Sequence, residues 1–207
     1  MLGWCLFEWK AGLMTSTEIS QDDFAWVEED DRFDMGLCFT LVHSADPEAV
    51  LEVFDSVNPR KVRRAAGMSD DEWMDSFGDD DLAQRFAGVA GGWVWVLEEF
   101  AINAVLPPLP ERLSDAFGTS ITVQWDVNLL STFVYAVDGA IERHFELGRV
   151  ADPSDRSVPE GYLDEEDEID WEEWMSGGLC MQARLAGVIA LTADPIEPLI
   201  TETCGGA

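Results

Sequence analysis

A chain of 207 residues that is 47% hydrophobic and 11% aromatic carries enough apolar side chain for one sizeable core, and no linker divides it. Its formal charge of −30 at pH 7 disfavours direct contact with a nucleic-acid backbone and favours basic partners, cations or high salt. No apolar run reaches the roughly 18 residues a membrane helix needs, so no membrane span is expected.

The N-terminal M-L-G-W-C-L-F-E-W-K carries Glu8 too early for a secretory signal, and Met14 offers a second start. Residues 1–21 are expected to be a weakly structured extension, and 22–207 a single domain. Cys5, Cys38, Cys180 and Cys204 stand singly, without C-x-x-C spacing. They are expected to be reduced, mostly buried thiols in the cytoplasm.

Residues 15–35 are acidic, with Phe24, Trp26 and Val27 interrupting the charges to pin a solvated segment. Gly36 to His43 reads as a strand buried on both faces. Asp46-Pro47-Glu48 opens a helix, with Asp46 as cap, Pro47 in the first turn and Val50, Leu51 and Phe54 as the buried stripe. Arg60, Lys61, Arg63 and Arg64 form a basic window, read as internal charge compensation or as an anion site.

Ser69-Asp70-Asp71-Glu72 is a capping box before Trp73, Met74 and Phe77. Asp79, Asp80 and Asp81 predict a further short helix with Leu82, Ala83 and Phe86, closed by Gly88. They do not match a calcium loop, which needs spaced ligands, a turn glycine and a bidentate glutamate. Gly91-Gly92 permits a tight turn, and Gly92 to Phe100 reads as a central strand buried on both faces. Pro107-Pro108-Leu109-Pro110 breaks the chain before a helix carrying Leu113 and Phe117 and ending at Gly118.

Ser120 to Val127 alternates Ile121, Val123, Trp125 and Val127 against polar residues. Phe133 to Leu147 is the clearest signal: two strands joined by Asp138-Gly139, which suits a two-residue turn with positive φ at both positions. In its second strand Ile141, Arg143 and Phe145 share one face, and Glu142, His144 and Glu146 the other. Residues 148–163 read as loop, within an acidic insertion around 150–175. Asp164 to Asp170 is the densest charge run, followed by Trp171 and Trp174. Gly177 to Thr192 predicts a deeply buried helix, and the chain beyond Pro195 and Pro198 is expected to be frayed or extended.

These elements predict an α+β fold: one mainly antiparallel sheet of about four to six strands, with helices packed mainly on one face. No nucleotide-binding, serine-hydrolase or zinc-protease motif occurs, and His43 and His144 are far apart in the chain. No catalytic residue, cofactor or metal ligand is assigned.

A-G-G-W-V-W-V-L-E from Ala90, E-R-L-S-D-A-F-G-T-S from Glu111, F-V-Y-A-V-D-G with its partner R-H-F-E-L, and V-P-E-G-Y-L from Val158 follow one another in order. This set, over roughly residues 22–200, resembles a family of small actinobacterial and actinophage proteins known only as a domain of unknown function. The resemblance implies an α+β domain and supplies no activity. The chain departs from the pattern in its N-terminal extension and in the acidic insertion near Asp164.

The functional expectation is a non-enzymatic interaction protein that binds a basic protein in a toxin-neutralising, inhibitory or phage-conflict role. Its expected partner-binding residues are Asp164, Glu165, Glu166, Asp167, Glu168, Asp170, Trp171 and Trp174. Carboxylates steer basic partners and tryptophans anchor interfaces. Nucleic-acid mimicry, with carboxylates standing in for phosphates, is a sharper form of this reading. The alternative is a small hydrolase or ligand-binding domain with an acidic pocket near Glu98 and Glu99, and adaptation to salt is a third reading of the charge.

Overall fold

The computed structural model describes residues 18–30, 36–54, 59–63, 68, 72, 82–98, 102–128, 130–147, 163–166, 168–192, 198 and 200–204. Eight strands form one antiparallel sheet: β1 (Gly36–Val42), β2 (Pro59–Arg63), β3 (Leu82–Ala90), β4 (Trp93–Glu98), β5 (Thr119–Asp126), β6 (Ser131–Val137), β7 (Ala140–Phe145) and β8 (Ile200–Cys204). Their spatial order is β2-β8-β3-β4-β1-β5-β6-β7. The helices are α1 (Pro47–Val53), α2 (Leu109–Phe117) and α3 (Trp174–Ala186), with 3₁₀ turns η1 (Gln21–Glu29), η2 (Asn103–Val105) and η3 (Asp164–Glu166). The fold is a single α+β domain.

The strands expected from periodicity are present, and the tight turns lie where their glycines predict. Asp138 and Gly139 have φ of 47° and 81°, and Gly91 and Gly92 have 54° and 87°. The sheet is wider than four to six strands because β2, β8 and β3 add three strands that local pattern did not reveal. The segment of β3 reads as a helix closed by Gly88, yet it is a strand paired with β4 over Arg85–Ala90 and with β8 over Leu82–Ala87. Gly88 has a packing role: a Cβ there would stand 2.4 Å from the Trp95 indole. The tail expected to be frayed or extended contains β8, inserted between β2 and β3. The Phe133–Leu147 hairpin lies at one end of the sheet, and β1, β4 and β5 occupy its middle.

Helices cover both faces of the sheet, not mainly one. The reason is visible in β1 and β4, whose residues are buried on alternate sides. Leu37, Phe39, Leu41, Trp95, Ile121, Val123 and Phe133 pack against α3 and η1. Cys38, Val42, Val94, Val96 and Ala87 pack against α1 and α2 through Val50, Leu51, Phe54, Leu109 and Leu113. A strand without a polar side needs cover on both faces.

Local capping follows the sequence. Asp46 Oδ1 accepts the backbone N–H groups of Glu48 and Ala49 at 3.1 and 3.2 Å. Helix α3 begins three residues before the expected Gly177 and ends at Gly187, whose φ is 65°. Gly178 brings it against the sheet: a Cβ there would meet Leu147 Cδ1 at 3.0 Å and Val123 Cγ1 at 3.2 Å. Of the expected 1–21 extension, Glu18–Gln21 are described; Ile19 is buried in the α3-side core and Ser20 caps η1. Residues 1–17, 73–81 and 151–162 lie outside the described residues, as do the expected helix over Trp73–Phe77 and the Asp79–Asp81 run.

Candidate functional site

Two acidic segments far apart in the chain, 18–30 and 163–173, meet over the N-terminal half of α3. Their joint is Gln21. Its Nε2 donates to Asp170 O, Glu173 O and Ser176 Oγ at 2.9, 3.0 and 3.0 Å, while its Oε1 accepts from Asp170 N at 2.8 Å. Arg184 makes a second joint from within α3, donating to Ile19 O and Glu165 O at 3.1 Å each. Glu28 makes the third: its Oε1 accepts Ser176 N at 3.1 Å, satisfying one of the orphan N–H groups of the first turn of α3.

The result is one acidic face. Asp22, Asp23, Glu28, Glu29, Asp164, Glu168, Asp170, Glu172 and Glu173 are exposed on it, and neither segment contains lysine or arginine.

Of the residues expected to bind a partner, Asp164, Glu168 and Asp170 are exposed, Glu165 is half-buried, and Asp167 lies outside the described residues. The other three face inward. Glu166 is buried against Arg143, which donates from Nε to Oε1 at 2.7 Å and from Nη2 to Oε2 at 2.8 Å. The Arg143 guanidinium also lies 4.3 Å from the Phe145 ring centroid. Trp171 and Trp174 are half-buried, their rings edge-on to Phe145 and Trp125 at 5.5 and 5.9 Å. These two tryptophans anchor the acidic loop to its own core. Sequence carried one signal of this: Arg143 occupies the apolar side of an alternating strand, where a charge requires a buried partner.

The field of this face reaches the sheet. Burial raises the Tyr135 hydroxyl above its ordinary pKa, and the negative charges of Glu165 and Glu142 raise it further.

A second polar constellation was not anticipated. Glu202 on β8, Arg85 on β3, Glu98 on β4, Cys38 on β1 and Gln124 on β5 occupy successive cross-strand positions, and Lys61 on β2 is the register partner of Glu202. Arg85 donates to Glu98 Oε1 at 3.2 Å and to Glu202 Oε1 at 2.7 Å, with the Phe54 ring over its guanidinium at 4.7 Å. Asn103 Nδ2, Ala104 N and the Cys38 thiol also donate to Glu98, at 3.0, 2.9 and 3.3 Å. Burial, then the Glu98 charge and hydrogen bond, push the Cys38 thiol well above its ordinary pKa, which makes it a poor nucleophile.

Glu98 is therefore the centre of a buried ion network that pins η2 to the sheet; Glu99 lies outside the described residues. Cys180, like Cys38, is a free buried thiol. Among the described residues, no group of three or more histidine, cysteine or carboxylate side chains is placed to hold a metal ion. No described helix is long and apolar enough to cross a membrane. His43 and His144 are both exposed, and the His43 ring lies 5.0 Å from that of Trp93.

The architecture defines the class: an antiparallel α+β domain whose sheet carries a transverse buried ion row and whose α3 face is sheathed by two acidic segments. The chain belongs to a family of unknown function, DUF6461, whose model matches residues 17–191. That span takes in η1, the whole middle of the sheet and α3. No curated protein and no solved structure matches it significantly.

Proposed function

We propose that this protein is a non-enzymatic interaction protein that binds a basic protein partner through the acidic face formed by 18–30 and 163–173. The role we assign is toxin-neutralising, inhibitory or phage-conflict, in the cytoplasm of an actinobacterium or of a cell infected by an actinophage. The observation that carries this reading is the joint at Gln21, which merges two acidic segments, neither containing lysine or arginine, into one face. Such a surface raises encounter rates with a basic partner and rejects acidic ones. Nucleic-acid mimicry is the form this reading takes if the partner is a DNA-binding protein. A hydrolase or ligand-binding reading centred on Glu98 draws less support, because Arg85, Asn103, Ala104 and Cys38 already engage that carboxylate.

The test is affinity capture from host lysate, washed at low and then moderate salt, with wild type beside a variant carrying Glu29→Gln, Asp164→Asn, Glu168→Gln and Glu172→Gln. A single basic protein retained by wild type and lost by the variant supports the proposal. Equal retention by both removes the acidic face from consideration. A retained DNA-binding protein that duplex DNA displaces selects mimicry.

A further inference from the structure

We infer that one end of the sheet is a second, apolar half of the binding surface, built to seat a basic amphipathic helix of the partner. This inference rests on the acidic-face reading and adds to it where the partner's apolar side goes. Among the described residues the exposed large hydrophobics are Ile102, Leu106, Val127 and Leu130, at 42%, 48%, 52% and 59% exposure. They are not scattered. Ile102 and Leu106 flank η2, which packs on β5 and β6, and Val127 and Leu130 belong to the turn joining those same two strands. Isolated surface hydrophobics need no explanation, but four at one end of a chain this acidic do.

Asp126 holds the turn that presents Val127 and Leu130. Asp126 Oδ1 accepts Asn128 N at 2.8 Å and Leu130 N at 3.1 Å, and Asp126 N donates to Leu130 O at 3.0 Å. The N–H groups of Asn128 and Leu130 and the Leu130 carbonyl are thus paired within the turn. Recognition there works through side chains, which suits a helix laying an apolar stripe on the patch.

The charge around the patch selects the occupant. Trp125, near the end of β5, meets the Trp174 ring edge-on, and this places the start of α3, with exposed Glu172 and Glu173 just before it, at the same end of the sheet. The acidic face lies on the α3 side of this end of the sheet, and η2 lies on the α1–α2 side. A net charge of −30 opposes a second copy and favours a positively charged helix.

The probe is a lysine–leucine peptide patterned to be apolar along one helix face, compared with a scrambled peptide of the same composition. Both are titrated calorimetrically into the full chain at two salt concentrations. The patterned peptide is expected to bind about tenfold more tightly than the scrambled one, the scale set by losing one or two interface anchors. The double variant Val127→Ser, Leu130→Ser should abolish that difference while leaving the scrambled peptide's salt-sensitive binding unchanged. The four-site amide variant should weaken both peptides.

Equal binding of the two peptides, unaffected by Val127→Ser and Leu130→Ser, overturns the patch and leaves the acidic face standing. Absence of any salt-sensitive binding counts against the acidic face itself. Concentration-dependent dimerisation of the protein alone, lost in the double variant, would make a second copy the occupant and overturn the inference. Tighter peptide binding by a chain begun at Met14 would instead make the first thirteen residues the occupant, with the same consequence.

Discussion

Arg143 on β7 and Glu166 on η3 form a bidentate ion pair whose two side chains are 1% and 0% exposed. Glu166 Oε1 also accepts Leu163 N at 3.1 Å, so the pair closes the acidic loop onto the sheet. Removing one partner strands the other charge without water or counterion. Arg143→Met is therefore expected to lower the unfolding free energy by about 3–5 kcal/mol, whereas Arg143→Met with Glu166→Leu should recover most of it. Urea unfolding of the two variants decides this; equal losses would mean that the pair is not the anchor.

Helix α3 borrows its N-terminal cap from Glu28, a residue 148 positions earlier. Glu28→Ala should cost about 1 kcal/mol, the usual scale for a lost N-cap. Gln21→Ala removes side-chain hydrogen bonds to both the loop and α3 and should cost about 1–3 kcal/mol. Hydrogen exchange localises both effects: the Ser176 amide should exchange faster in Glu28→Ala, and the Asp170 amide in Gln21→Ala.

Gly88 lies in the middle of β3 with the Trp95 indole where a side chain would be. Gly88→Ala should destabilise by about 1–3 kcal/mol through overpacking. Pairing it with Trp95→Leu, which vacates that space, should cost less than the sum of the two single changes. Strict additivity in thermal unfolding would show that the contact does not determine the glycine.

The buried thiols make stability fall in alkali. Burial pushes Cys180 up to about 11 from an ordinary 9.0. The folded state thus holds this proton more tightly than the unfolded chain does. The contribution is fully present below pH 9 and is lost as pH rises through about 11. Cys180→Ala should show a shallower loss of stability across that window, although it starts lower at pH 7 because of the small cavity. Identical slopes for wild type and variant would show that the thiol does not titrate there. Alkylation at pH 8 followed by peptide mass analysis should leave Cys38 and Cys180 unlabelled in the folded protein.

Much of the fold was legible from local pattern. The Asp138-Gly139 and Gly91-Gly92 turns, the Asp46 cap, the doubly buried β1 and β4, and the apolar helix expected from Gly177 each rest on chemistry within a few residues. The candidate site was legible in half. Its charge was evident from Asp164 to Asp170, but the inward placement of Glu166, Trp171 and Trp174 was not, because a residue's own type does not say which strand will lie beneath it. β3 illustrates the same limit. Three aspartates and a terminal glycine suggest a helix, yet ladder pairing with β4 and β8 and the packing of Trp95 on Gly88 outweigh that weak propensity.

The sequence by itself determined the α+β class, the turn positions, the buried central strands and the acidity, since all of these follow from short-range periodicity, turn geometry and summed charge. Only the tertiary structure decided that 18–30 and 163–173 share one face, and that Glu202, Arg85, Glu98 and Cys38 line up across four strands. Those arrangements depend on strand order and register, which are set by contacts between residues many positions apart. A buried arginine announces that it needs carboxylates but not which of the chain's 42 it will find.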